Sequence, residues 1–139
     1  MVARIATLSK RGRPHINPIY FVRRRGLIHL GTFDSTLVAR NVRANPRVEI
    51  LFNVEKDPGD HRVLRIEGTA AVRYERSILR AYRIRDVAKY FATPGGVRNS
   101  LAHARQLALL RDYFRTAREL GRDCVLEVVP ERAELLAAP

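Results

Sequence analysis

One cysteine, Cys124, stands in a chain of 139 residues, which excludes an intramolecular disulfide and makes the cytoplasm the default compartment. No apolar run approaches the roughly 18 residues that cross a bilayer as a helix, so no membrane span is expected. The opening MVARIATLSKRGRP has neither the long apolar core nor the small-residue cleavage site of a signal peptide. Catalytic signatures are as scarce. There is no P-loop and no G-x-G-x-x-G, and Ser9, Ser35, Ser77 and Ser100 lack a G-x-S-x-G setting. His15, His29, His61 and His103 never fall at i, i+4 or beside a cysteine, which argues against zinc, and no metal site is expected. Asp57, Asp60 and His61 share a Pro-Gly loop and read as a solvated turn. Cys124 reads as a core residue, and no acid–base pair stands out.

Lysine is also rare. Of 26 basic residues only Lys10, Lys56 and Lys89 are lysines, yet the net charge is +12. Such a field attracts polyanions and phosphorylated cofactors. The arginines run from Arg4 to Arg132 rather than forming a tail, so charge alone selects no partner. Nucleic-acid binding would need aromatic residues interleaved with basic ones on one sheet face. Only Tyr20 and Phe21 beside Arg23 to Arg25 approach that, and the triplet reads more simply as a solvated hairpin tip.

The length fits a single domain over residues 1–139. Val2 to Ser9 is short and β-leaning, and Lys10 to Arg13 is a turn. Pro14 to Arg24 is rich in β-branched and aromatic residues, with Ile16, Tyr20 and Val22 on one face and His15, Asn17, Ile19 and Phe21 on the other. Pro18 within it argues for an edge or a bulge. Leu27 to Phe33 is a third strand, Asp34 to Asn45 a helix with Leu37, Val38 and Val42 on its apolar side, and Asn45-Pro46 its stop. Arg47 to Val54 and Val63 to Arg73 alternate as half-buried strands. Gly68 in the latter marks a bulge or a close backbone approach. Helical spacing follows over Glu75 to Phe91 and again from Val97 or Arg98 to Leu120, ended by Gly121. Cys124 to Val129 is a last strand before a mixed tail, Pro130 to Pro139. Six mostly antiparallel strands with few helices make a mainly β (α+β) chain, and burial of one face without long edges favours a closed or partly closed barrel.

Leu30 to Pro46, LGTFDSTLVARNVRANP, organises the rest. It reads as a strand end, a polar turn and a helix start that offers the hydroxyls of Thr32, Ser35 and Thr36 beside unpaired amides. Such a terminus favours an anion, and Arg40 one turn later adds a guanidinium. The plainer reading makes Ser35 an N-cap and Arg40 a solvated residue.

VARIATLS, GRPHINPIYF, LIHLGT and S-x-x-x-x-R-N-V-R-A-N-P-R-V, in that order, resemble the split-barrel flavin-binding superfamily related to pyridoxamine 5'-phosphate oxidase. RIEGTAAV and VVPER resemble its next and last strands, whereas the helical insert 75–122 is not diagnostic. The resemblance implies a six-stranded antiparallel split β-barrel, a homodimer, and FMN or the deazaflavin coenzyme F-420 at the dimer interface. Carried over by position, Thr32, Ser35 and Thr36 meet the cofactor phosphate, with Arg40 as an added cation, while His15, Asn17 and Ile19 line its ring. It implies an oxidoreductase passing hydride or electrons to a small substrate; the cofactor supplies that chemistry. Two departures stand out. Many members carry a phosphate-binding lysine three residues before the asparagine that Asn41 matches, and here that position is Val38. The chain also opens directly on the first strand, where relatives usually carry a helix. The Val38 departure motivates an alternative, a non-catalytic flavin, deazaflavin or haem carrier on the same fold.

Overall fold

The computed structural model describes residues 2–53, 62–91, 119 and 121–137. These form β1 (Ala3–Leu8), β2 (Pro14–Ile19), β3 (Phe21–Arg24), β4 (Leu27–Phe33), α1 (Leu37–Ala44), β5 (Arg47–Asn53), β6 (Val63–Arg73), α2 (Arg76–Asp86), a π-helical turn over Val87–Phe91, and β7 (Asp123–Leu136). All the strands join one antiparallel sheet in the order β2-β1-β5-β6-β7-β4-β3. The fold is the expected one, mainly β with a curled sheet and helices against it.

Six strands were expected and seven are found among the described residues, because Pro14 to Arg24 breaks at Tyr20. Its first half pairs with β1 and its second with β4, so the two edges of the sheet are consecutive pieces of one segment. With Tyr20 alone between them, Ile19 and Phe21 lie within about 7 Å, so the sheet has to curl until its edges meet. The result is a barrel with a seam between β2 and β3.

Alternation places the core inside this curl. Val48, Ile50 and Phe52 of β5 are buried, while Arg47 and Glu49 face solvent, as the sequence predicts. Ile5, Leu30, Leu126 and Val128 join them from the neighbouring strands, and α1 adds Val38, Ala39 and Val42. Leu37, expected on the buried side of α1, is exposed instead; Asn41 takes the inward position.

β7 is longer than expected. It runs to Leu136, although Pro130 reads in the sequence as the start of a tail. Pro130 lies beyond the pairing with β4 and opposite Gly68, where the register of β6 and β7 shifts and Glu131 becomes an extra residue. A Cβ at Gly68 would overlap the Val129 carbonyl, so the mid-strand glycine serves both roles expected of it, bulge and close approach. On the outer face, α2 crosses the barrel with the Tyr82 ring lying where a side chain at Gly31 would stand. The helix expected from Val97 or Arg98 to Leu120 and the loop from Glu55 fall largely outside the described residues.

Candidate functional site

Two groups of residues expected to bind the cofactor sit on different elements. The first surrounds the start of α1. Its N-cap is Thr36 rather than Ser35: the Thr36 hydroxyl accepts a long bond from the Ala39 amide at 3.4 Å and donates to the Phe33 carbonyl at 2.7 Å. Thr32 Oγ1 lies 3.0 Å from Thr36 Oγ1. With the Thr36 hydrogen on Phe33, that of Thr32 is the one shared between them, so both hydroxyl protons are used within the turn. The Arg40 amide bonds the Thr36 carbonyl at 3.0 Å, leaving Leu37 and Val38 to carry the other amides of the first turn. Arg40 stands one helical turn beyond Thr36 on the exposed side. Ser35, also exposed, lies in the turn between the two threonines.

The turn is held from below by the chain entering β7. Asp34 N–H donates to the Arg122 carbonyl and Asp34 Oδ1 accepts from the Arg122 amide, both at 3.0 Å. Arg43 donates to the Asp34 carbonyl at 2.8 Å and also bonds the Tyr74 hydroxyl. The asparagines of RNVRANP act as clamps. Asn41 Nδ2 donates to Thr7 Oγ1 at 3.0 Å and Asn45 Nδ2 to the Ser9 carbonyl at 2.8 Å, fixing α1 to the end of β1.

The second group is His15, Asn17 and Ile19 on β2. All three are half-buried on the inward face, while Ile16, Pro18 and Tyr20 point out. His15 pairs with Thr7 and Asn17 with Ile5, so the trio stands beside the strand that Asn41 grips. Asn17 Oδ1 is buried with no hydrogen-bond partner among the described residues. An orphaned acceptor of this kind costs about 1–3 kcal/mol unless something donates to it. Phe21, one candidate for nucleic-acid stacking, is committed elsewhere: its ring packs edge-on against Phe52 at 4.6 Å.

Val38 is buried in the core between α1 and the sheet. No cluster of His, Cys, Asp and Glu that could hold a metal occurs among the described residues. Cys124 is buried, and desolvation pushes its thiol up to about 11, with Arg43 opposing and Asp34 and Asp123 adding to the shift. It is not a nucleophile at neutral pH.

One polar cluster leaves no local signal in the sequence. His29, buried under the outer layer, places Nε2 3.2 Å from Glu127 Oε2, and Arg73 Nε donates to Glu127 Oε1 at 3.0 Å. Each residue comes from a different strand, and only the register of β4, β7 and β6 brings them together.

The family model for pyridoxamine 5'-phosphate oxidase matches residues 1–137. The chain belongs to the pyridoxamine 5'-phosphate oxidase family. None of the curated protein sequences is similar to it. Several solved structures share the family's fold. A conserved hypothetical protein of Mycobacterium tuberculosis superposes with a TM-score of 0.70 at 20% identity, covering 98% of this chain and 76% of that one. An F420 reductase gives 0.64 at 15% identity, over 96% and 89% of the two chains. The haem storage protein of Vibrio cholerae gives 0.56 at 15% identity, over 98% and 84%. Likeness at this identity establishes the fold. No described helix is long and apolar enough to cross a membrane.

Proposed function

We propose that this member of the family binds FMN or the deazaflavin coenzyme F-420 and works as an oxidoreductase on a small substrate. The observation that carries the reading is Asn17 Oδ1, a buried acceptor without a donor on the strand where the ring is expected. The pyrimidine edge of a flavin or deazaflavin offers an N–H, which answers that need. His15 and Ile19 flank Asn17 on the same face and would bracket the ring. The phosphate would be held by the Leu37 and Val38 amides and by Arg40; Thr32, Ser35 and Thr36 shape the turn that presents them. When bound, the cofactor supplies hydride or electron transfer, and the protein contributes position and exclusion of water.

A homodimer belongs to this reading, with the cofactor between subunits. Exposed Ile16 on the outer face of edge strand β2 and exposed Tyr20 just after it support it. One observation favours the alternative of a carrier without turnover, for flavin, deazaflavin or haem: Val38 leaves the phosphate without the lysine of other members.

The test is fluorescence titration of the purified protein with FMN and with coenzyme F-420, repeated on Asn17→Leu. Saturable quenching with one of them, weakened about tenfold in Asn17→Leu, is expected. A folded protein that quenches neither, or an Asn17→Leu variant that binds equally well, would overturn it. Binding with no reduction or oxidation of any offered acceptor would select the carrier.

A further inference from the structure

A second cluster of positive charge lies where the end of α2 and the π-helical turn meet β3. A shallow cleft of about 360 Å³ opens between β3 and the π-helical turn, lined by Val22, Arg23, Arg85, Ala88 and Lys89. We propose that this cleft is an anion site for a phosphate monoester with a small apolar body, held by Arg23, Arg85 and Lys89.

Among the described residues three cations line the cleft and no carboxylate does. The nearby Asp86 carboxylate accepts from the Tyr82 hydroxyl at 3.3 Å; burial raises its pKa, opposed by that bond and by Lys89. The negative end of a helix dipole accounts for Arg85 and Lys89 at the end of α2, but not for Arg23, which comes from β3. Among the described residues neither Arg23 nor Arg85 has an ion-pair partner. Lys89 is a fixed charge rather than a loose tether. Its ammonium donates to the Phe21 carbonyl at 3.0 Å and stands 3.1 Å above the Phe21 ring. Burial lowers its pKa, partly offset by Asp86. A π-helical turn, which places Lys89 there, is a common feature of functional sites. Two guanidiniums and an ammonium match a doubly charged phosphate better than a carboxylate, and exposed Ala88 offers an apolar surface to its organic part.

The experiment is calorimetric titration of the full chain with phenyl phosphate at low salt, with benzoate as the second arm. Saturable binding of phenyl phosphate is expected, tighter than that of benzoate and weakened about tenfold in Arg23→Gln and in Arg85→Gln. Both arginines are exposed, so neither variant threatens the fold. Phenyl phosphate should also slow the labelling of Lys89, and not of Lys10, by trinitrobenzenesulfonate in a peptide map. Equal binding of benzoate would overturn the phosphate assignment. Binding unchanged in both variants but lost in Arg40→Gln would place the anion at α1 and overturn the site itself, as would unaltered labelling of Lys89.

Discussion

Asn41 and Thr7, both almost wholly buried, are joined by a 3.0 Å hydrogen bond that locks α1 to β1. Because Thr7 pairs in turn with His15, the same bond sets where α1 stands relative to edge strand β2. Asn41→Ala should cost about 1–3 kcal/mol, since it strands the Thr7 hydroxyl in the core. Thr7→Val together with Asn41→Leu should recover part of the loss, because neither partner is then left unsatisfied. Urea midpoints of the two variants against that of the wild type decide it. A double variant no more stable than Asn41→Ala would mean that packing, not the bond, holds the helix.

Gly68→Ala should destabilise the chain by about 1–3 kcal/mol, because the new methyl meets the Val129 backbone rather than a mobile side chain. Thr69→Ala, next to it and exposed, should cost far less. Thermal melts of the two side by side provide the comparison.

Glu127→Ala should be the most damaging change in the His29 cluster, at about 3 kcal/mol, since it leaves a buried imidazole unpaired. Arg73→Ala should cost about 1 kcal/mol or less, because the guanidinium is 43% exposed. Denaturant titration separates the two. Equal losses would show that Glu127 is held for Arg73, not for His29.

The Cys124 thiol gives a pH signature. Its folded pKa, near 11, exceeds the ordinary 9.0, so the folded state keeps a proton that the unfolded chain gives up. Stability from this group is therefore complete below about pH 9 and is lost as pH rises towards 11. Wild type should lose stability over that window faster than Cys124→Ala, whose other titrating groups are the same. At pH 8 the thiol should react with Ellman's reagent only at the rate of unfolding.

Much of the barrel could be read from the sequence because its signals are local. The alternation of β5, the breaker Asn45-Pro46 and the misplaced Gly68 each declare themselves within a few residues. What escaped depends on distant partners. Asn41 and Thr7 are 34 positions apart, and His29 and Glu127 are 98 apart, so the asparagine clamp and the buried cluster exist only through register. Pro130 misled for the opposite reason: it is a local stop signal, overruled by a ladder with β6 that continues past the bulge. At the site, the hydroxyls of Thr32 and Thr36 look available in one dimension. In three, they bond each other and the turn to build the helix cap, and Arg40 is the group left exposed.

The order of the sheet also dictates when the molecule can exist. The last described strand in sequence, β7, lies between β6 and β4 and, among the described strands, is the one that hydrogen-bonds the β2-β1-β5-β6 half to the β4-β3 half. The two hairpins, β1–β2 and β3–β4, need only neighbours and can form as soon as they leave the ribosome. The curl cannot close until Asp123 to Leu136 has been made. Every shorter nascent chain carries the open flanks of β6 and β4 side by side with no strand between them, a state that invites a strand from another chain. The segment that turns two partial sheets into one barrel is thus the last of the seven described strands to be made.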